Sequence, residues 1–186
     1  MRAVFLDRDG TLIEEAGYLE RLDRLIFFPF AVDAVRQLNR AGFLIVVNTN
    51  QSGVARGIVS EEFVSIAHQH ISRRLQSGGA RVDAYYHCPH HPEGIVASLR
   101  TACECRKPQP GMLRRAAADL HIDLRRSFSV GDRWHDVDAG QAAGTRTVLV
   151  RTGHGASVER TRRDGPAPDV IVDNVAAAAA WILTNP

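Results

Sequence analysis

Two aspartates two positions apart, Asp7 and Asp9, follow an apolar run at positions 4–6 and precede Gly10 and Thr11. If that run is a buried strand, both carboxylates lie just past its carboxyl end, where open α/β sheets bind their ligands. Carboxylates so placed can divide the labour, one attacking or holding a metal while the other moves protons. Alone, the pattern also fits a turn whose aspartates cap loops and the following helix.

Two later apolar runs deliver groups that answer these carboxylates. Positions 43–47 lead into Asn48-Thr49-Asn50-Gln51-Ser52-Gly53, small polar groups suited to an oxyanion and poorly suited to a core. Positions 127–130 lead into Gly131-Asp132-Arg133-Trp134-His135-Asp136, again a strand end carrying a carboxylate. Asp136 falls one helical turn after Asp132 and can face the same way. Arg106-Lys107-Pro108, with Pro110 close behind, sets two cations in a stiff segment.

All three cysteines fall in two tight pairs, Cys88-x-His90 and Cys103-x-Cys105. Three thiolates and one imidazole suit tetrahedral zinc, with His91 as the alternative imidazole. A disulfide would leave one thiol over and belongs to an oxidising compartment. Four protein ligands close a zinc site to water, so this one is expected to hold the loop before Lys107 rather than do chemistry. His68 and His70, two apart on an expected helix, point to different faces and do not make a metal pair.

These groups need a scaffold that brings strand ends together, and the hydrophobic pattern supplies one. Strands are expected at 4–6, 43–47, 84–87, 127–130, 147–150 and, at an edge, 170–172. Helices are expected over 31–40, from a Ser60 cap to about position 76, over 111–120 and over 175–183. The alternation implies an α/β fold with a mostly parallel central sheet and helices on both faces. Positions 14–28 lack a clean period and read as a loop over the carboxylates, 151–155 as a mobile loop and 158–168 as irregular.

The 186 residues suit one domain, 1–186, with a sizeable core. A net charge of +2, with basic residues dispersed among acidic ones, argues against nucleic acid as a partner. The longest apolar stretches are too short or too alanine-rich to span a bilayer, and the N-terminus lacks a secretory pattern. A soluble cytoplasmic protein without nucleic-acid or membrane partners is expected, acting as a monomer.

Asp7-x-Asp9-Gly10-Thr11, Thr49, Lys107 and Gly131-Asp132-x-x-x-Asp136 stand, in order, in the four motif positions of the haloacid dehalogenase superfamily of phosphatases. The chain resembles that superfamily over nearly its whole length. Asp7-Arg8-Asp9-Gly10-Thr11, the run from Thr49 to Gly57, the zinc loop and Cys105-Arg106-Lys107-Pro108 look like the D-glycero-D-manno-heptose 1,7-bisphosphate 7-phosphatases. Histidinol-phosphate phosphatases share much of this, typically with a shorter loop than 92–102 here, and stand as the alternative. A catalytically silent module that binds phosphorylated ligands is a third reading, against which the intact Asp7, Asp9, Lys107 and Asp132 argue. Arg133 departs from the lysine that often follows the motif aspartate.

The resemblance implies a three-layer Rossmann-like fold with a zinc-bound loop and no separate cap domain. It implies Asp7 as nucleophile, Asp9 as general acid and base, and Thr49 and Lys107 as stabilisers of the transferring phosphoryl group of a small sugar phosphate. Unit charges about 4 Å apart interact by roughly 4 kcal/mol at an effective dielectric near 20, so a phosphate dianion among these carboxylates calls for a divalent cation. Mg2+ would be held by Asp7, the Asp9 carbonyl and Asp132, with Asp136 orienting Lys107 or a metal-bound water. Zn2+ would be held by Cys88, His90, Cys103 and Cys105. Glu15, Ala16, Gly17, Tyr18, Asn50, Gln51 and Ser52 would wall an open site, with Arg106 and Arg133 on a second phosphate.

Overall fold

The computed structural model describes residues 1–161 and 165–185. The apolar runs form six strands: β1 (Ala3–Leu6), β2 (Leu44–Asn50), β3 (Ala84–Cys88), β4 (Phe128–Gly131), β5 (Arg146–Val150) and β6 (Val170–Val172). They lie in one sheet, ordered β3-β2-β1-β4-β5-β6, with every pair of neighbours parallel. The helices are α1 (Ala31–Arg40), α2 (Glu61–Ser77), α3 (Gly111–Leu120), α4 (Trp134–Ala143), α5 (Gly155–Arg160) and α6 (Val175–Thr184).

Alternation along β1 builds three layers. Val4 and Leu6 pack with Val35 and Leu38 of α1, Ile71 and Leu75 of α2 and Ile182 of α6. Phe5 faces the other way, onto Leu113 and Ala116 of α3 and Ala139 of α4. Strands buried on both sides read as continuous apolar runs, which is why β1, β4 and β5 were legible as such.

Two expectations need correction. The second strand does not stop at position 47: Asn48, Thr49 and Asn50 pair in register with Tyr86, His87 and Cys88, so the polar residues belong to the ladder. The stretch after β5 is more ordered than a mobile loop and an irregular segment. Positions 151–154 make a tight turn, and Gly155–Arg160 is helical. An Arg151 to Glu159 ion pair at 2.7 Å and a Trp134 Nε1 bond to the Val158 carbonyl at 3.1 Å hold that helix. Residues 162–164, within the span read as irregular, lie outside the described residues.

Candidate active site

The winding of the sheet reverses between β1 and β4, and the crevice beyond their carboxyl ends is where such folds bind ligands. Asp7 follows β1 and Asp132 follows β4; the Asp7 N–H donates to the Val130 carbonyl at 2.9 Å and locks the two ends together. Gly10 (φ +78°) and Gly153 (φ +58°) flank the Asp132 carboxylate, and a Cβ on either would lie 2.2 Å from its Oδ2. The His154 N–H donates to the same oxygen at 2.7 Å. Asp132 Oδ1 is buried without a hydrogen-bond partner.

Lys107 reaches this cluster from the segment after the cysteines. Its Nζ lies 2.7 Å from Asp7 Oδ1, 2.5 Å from Asp136 Oδ1 and 2.8 Å from the Asn48 carbonyl, and the residue is 2% exposed. The Asp136 contact misses hydrogen-bond alignment, but charges this close form an ion pair. Asp136 Oδ2 also accepts the Arg133 N–H at 3.0 Å, capping α4. Burial alone would push the Lys107 amine down, and the adjoining Asp136 and Asp7 carboxylates more than reverse this, holding it above the usual lysine range. Burial raises Asp7 well above the ordinary carboxylate value against the pull of Lys107, with Asp136, Asp132 and Asp9 adding repulsion. Burial likewise pushes Asp132 up to about 7, reinforced by Asp136 and opposed by the His154 N–H.

Ligand oxygens of Asp7, Asp132 and Asp136 lie within 4.8 Å of one another. An all-oxygen set with one orphaned buried carboxylate oxygen fits a hard divalent cation, which would invert the upward shifts of Asp7 and Asp132. Lys107 and the Arg133 N–H engage both oxygens of Asp136, whereas Lys107 takes only Oδ1 of Asp7, so Asp7 and Asp132 are the side chains that could hold the ion.

A cavity of about 490 Å³ opens over this cluster. Of the residues expected there, Asp7, Asp9, Glu15, Gly17, Tyr18, Thr49, Asn50, Gln51, Ser52, Arg106 and Arg133 line it, whereas Ala16 does not. The Ala16 carbonyl instead accepts from Arg24 at 3.1 Å. Asn50 and Gln51 spend their amides within the protein: Asn50 on the Lys107 backbone, Gln51 on Arg8, Asp9 and Thr49. Sequence reasoning missed His135, His154, Leu19, Gly53 and Val59 as lining residues. His154 had a visible signal, lying between Gly153 and Gly155 in the turn that follows the fifth strand. At the rim the Glu15 carboxylate faces Arg133 at 3.7 Å and His154 at 3.4 Å.

The second cluster brings Cys88, His90, Cys103 and Cys105 together. Sulfur–sulfur distances are 3.0, 3.3 and 3.5 Å, and His90 Nδ1 lies 3.3 Å from Cys105 and 3.6 Å from Cys88. Disulfide sulfurs would be ~2.05 Å apart. Tetrahedral edges around a zinc with Zn–S of about 2.3 Å would be roughly 3.8 Å, so four donors converging on one centre fit that ion. His91 is turned elsewhere, with its ring 3.2 Å from Arg56.

The sheet, its switch point and the aspartate–lysine cluster define a haloacid dehalogenase-type phosphohydrolase. A HAD-hydrolase-like family model matches residues 104–178. The D-glycero-beta-D-manno-heptose-1,7-bisphosphate 7-phosphatase of Yersinia pestis is 46% identical over 185 residues, covering 98% of this chain and 90% of that protein. The D-glycero-D-manno-heptose-1,7-bisphosphate 7-phosphatase of Thermosynechococcus vestitus is 44% identical over 188 residues, covering 98% and 96%. The crystal structure of D,D-heptose 1,7-bisphosphate phosphatase from B. bronchiseptica, complexed with magnesium and phosphate, superposes with a TM-score of 0.89 at 32% identity, covering 100% of both chains. The chain therefore belongs to the family of D-glycero-D-manno-heptose 1,7-bisphosphate 7-phosphatases.

Proposed function

We propose that the protein removes the 7-phosphate of D-glycero-D-manno-heptose 1,7-bisphosphate through a phosphorylated Asp7, in the synthesis of nucleotide-activated heptose. The observation that carries this reading is the cluster of Asp7, Asp132 and Asp136, with Lys107 paired to Asp7 and Asp136, beneath the cavity that Asp7 lines, in a chain so similar to named heptose bisphosphate phosphatases.

Asp7 attacks phosphorus in line while Asp9 gives a proton to the leaving sugar oxygen; the phosphorus–oxygen ester bond breaks as the bond to Asp7 forms. Asp9 then takes a proton from the water that attacks phosphorus, and the bond to Asp7 breaks to release phosphate. Lys107 and Thr49 stabilise charge on the phosphoryl oxygens. Mg2+ held by Asp7, Asp132 and the Asp9 carbonyl would neutralise the phosphate among the carboxylates. Zn2+ held by Cys88, His90, Cys103 and Cys105 would fix the segment that carries Lys107, and three reduced thiols suit a cytoplasmic setting. Arg106 and Arg133 at the cavity wall suit the second phosphate.

No helix among the described residues is long and apolar enough to cross a membrane. A phosphate-release panel of both heptose bisphosphate anomers, histidinol phosphate and simple sugar phosphates tests the assignment. Heptose bisphosphate should lead by at least tenfold in kcat/KM, and a preference for histidinol phosphate would overturn it.

A further inference from the structure

Arg8 separates the two aspartates in sequence, yet it is among the largest fully buried side chains of the protein, 2% exposed. Its guanidinium grips Asp9 in a fork, Nε to Oδ2 at 3.0 Å and Nη2 to Oδ1 at 3.1 Å, and Nη2 also donates to Gln51 Oε1 at 3.0 Å. Gln51 Nε2 closes the ring, donating to Asp9 Oδ2 at 3.1 Å and to Thr49 Oγ1 at 2.8 Å. Both oxygens of Asp9 are therefore held from the protein side while the residue still lines the cavity.

A buried guanidinium left without its carboxylate is strongly destabilising, so Arg8 keeps Asp9 from swinging away. A planar two-point fork also fixes the plane of the carboxylate, which a point charge such as lysine cannot do. We propose that Arg8 is a positioning residue that fixes the orientation in which Asp9 exchanges protons, with Gln51 tying that orientation to Thr49 on the neighbouring strand. This rests on Asp9 being the proton carrier. Through it Arg8 acts twice: when Asp9 protonates the leaving alkoxide as the phosphorus–oxygen bond breaks, and when Asp9 takes the proton of the water that displaces Asp7 from phosphorus.

The test compares Arg8→Lys with Asp9→Asn in saturating Mg2+, on an alkyl phosphomonoester and on p-nitrophenyl phosphate. Arg8→Lys should lower kcat on the alkyl ester by about 30- to 100-fold, the scale of a misplacement near 1 Å, with KM within about threefold. A nitrophenolate leaving group needs no proton, so phosphorylation of Asp7 continues while its hydrolysis lags. Rapid quench should then show a burst approaching one equivalent per enzyme, larger than in the unaltered protein. An impaired Asp9→Asn beside an Arg8→Lys with normal kcat and no added burst, even with a lowered melting temperature, would make Arg8 merely structural and overturn the proposal. Normal turnover by Asp9→Asn would instead remove the proton carrier itself. Should Arg8→Lys not fold, Gln51→Leu, which removes one tie each from Arg8, Asp9 and Thr49, should lose about tenfold in kcat on the alkyl ester with the same burst; an unchanged kcat would overturn the proposal equally.

Discussion

The Asn50 carboxamide takes both main-chain polar groups of Lys107: Oδ1 accepts its N–H at 3.0 Å and Nδ2 donates to its carbonyl at 3.1 Å. The last residue of β2 thus fixes the backbone from which the buried ammonium projects toward Asp7. A positioning role for Asn50 predicts that Asn50→Ala lowers kcat by at least tenfold on heptose bisphosphate and on a small aryl phosphate alike. Steady-state kinetics on both substrates checks this; a loss confined to the heptose substrate would make Asn50 a substrate contact instead.

The Cys/His cluster holds the other end of the same segment, since Cys105 stands two residues before Lys107. The purified protein should carry about one equivalent of zinc that survives mild chelation, as expected of four closed ligands. Cys105→Ser should lower turnover on every phosphomonoester, including small ones that never touch the loop. Elemental analysis without zinc, or a fully active Cys105→Ser, would contradict this role.

Magnesium affinity should depend on pH with a definite sign. In the metal-free protein burial raises Asp132 from 3.8 to about 7, and raises Asp7 as well, so the folded state holds these protons more tightly than the unfolded state. The Asp132 contribution to stability is fully present below about pH 3.8 and is lost as pH rises through about 7, and the Asp7 contribution has the same sign. The cation must displace the Asp132 proton below that value, and any proton on Asp7 with it, so its apparent Kd should fall by at least about tenfold per pH unit between 5 and 7. Titration calorimetry over this range checks the slope, and a flat profile would count against Asp132 as a ligand.

Arg106 and Arg133 differ in what already occupies them. Arg133 faces the Glu15 carboxylate at 3.7 Å, whereas among the described residues the Arg106 guanidinium donates to the His90 carbonyl at 3.3 Å and faces no carboxylate. Arg106→Ala should therefore raise KM for the bisphosphate by about tenfold or more while leaving a small aryl phosphate within about twofold, on the scale of one charge-assisted hydrogen bond. Equal effects on the two substrates would take Arg106 out of recognition of the second phosphate.

The scaffold was legible because β1, β4 and β5 are buried on both faces and therefore uninterrupted in hydrophobicity, and because Asp7 and Asp132 end two of these runs. Asn48 and Thr49 misled for a physical reason: their small polar side chains resemble a turn, but pairing with Tyr86 and His87 of β3 keeps them in the sheet. Helix α5 was hidden because its support comes from Arg151 and Trp134, outside the helix. The Asn50 clamp and the Arg8 fork were equally invisible, since each depends on a partner's orientation rather than on residue type. The Cys/His cluster could be read directly, because pairs spaced by one residue around a single loop can meet without knowledge of the sheet.

Phosphorus NMR of the wild type beside Asp7→Asn tests most directly whether Asp7 carries the phosphoryl group from the 7 position. With heptose 1,7-bisphosphate and Mg2+, the wild type should lose the 7-phosphate resonance and gain one equivalent of inorganic phosphate, with the 1-phosphate resonance intact. Asp7→Asn, which keeps the shape and removes the attacking charge, should stay folded and leave the spectrum unchanged, with turnover down by several orders of magnitude. Phosphate released from the 1 position, or near-normal release by a folded Asp7→Asn, would contradict the account.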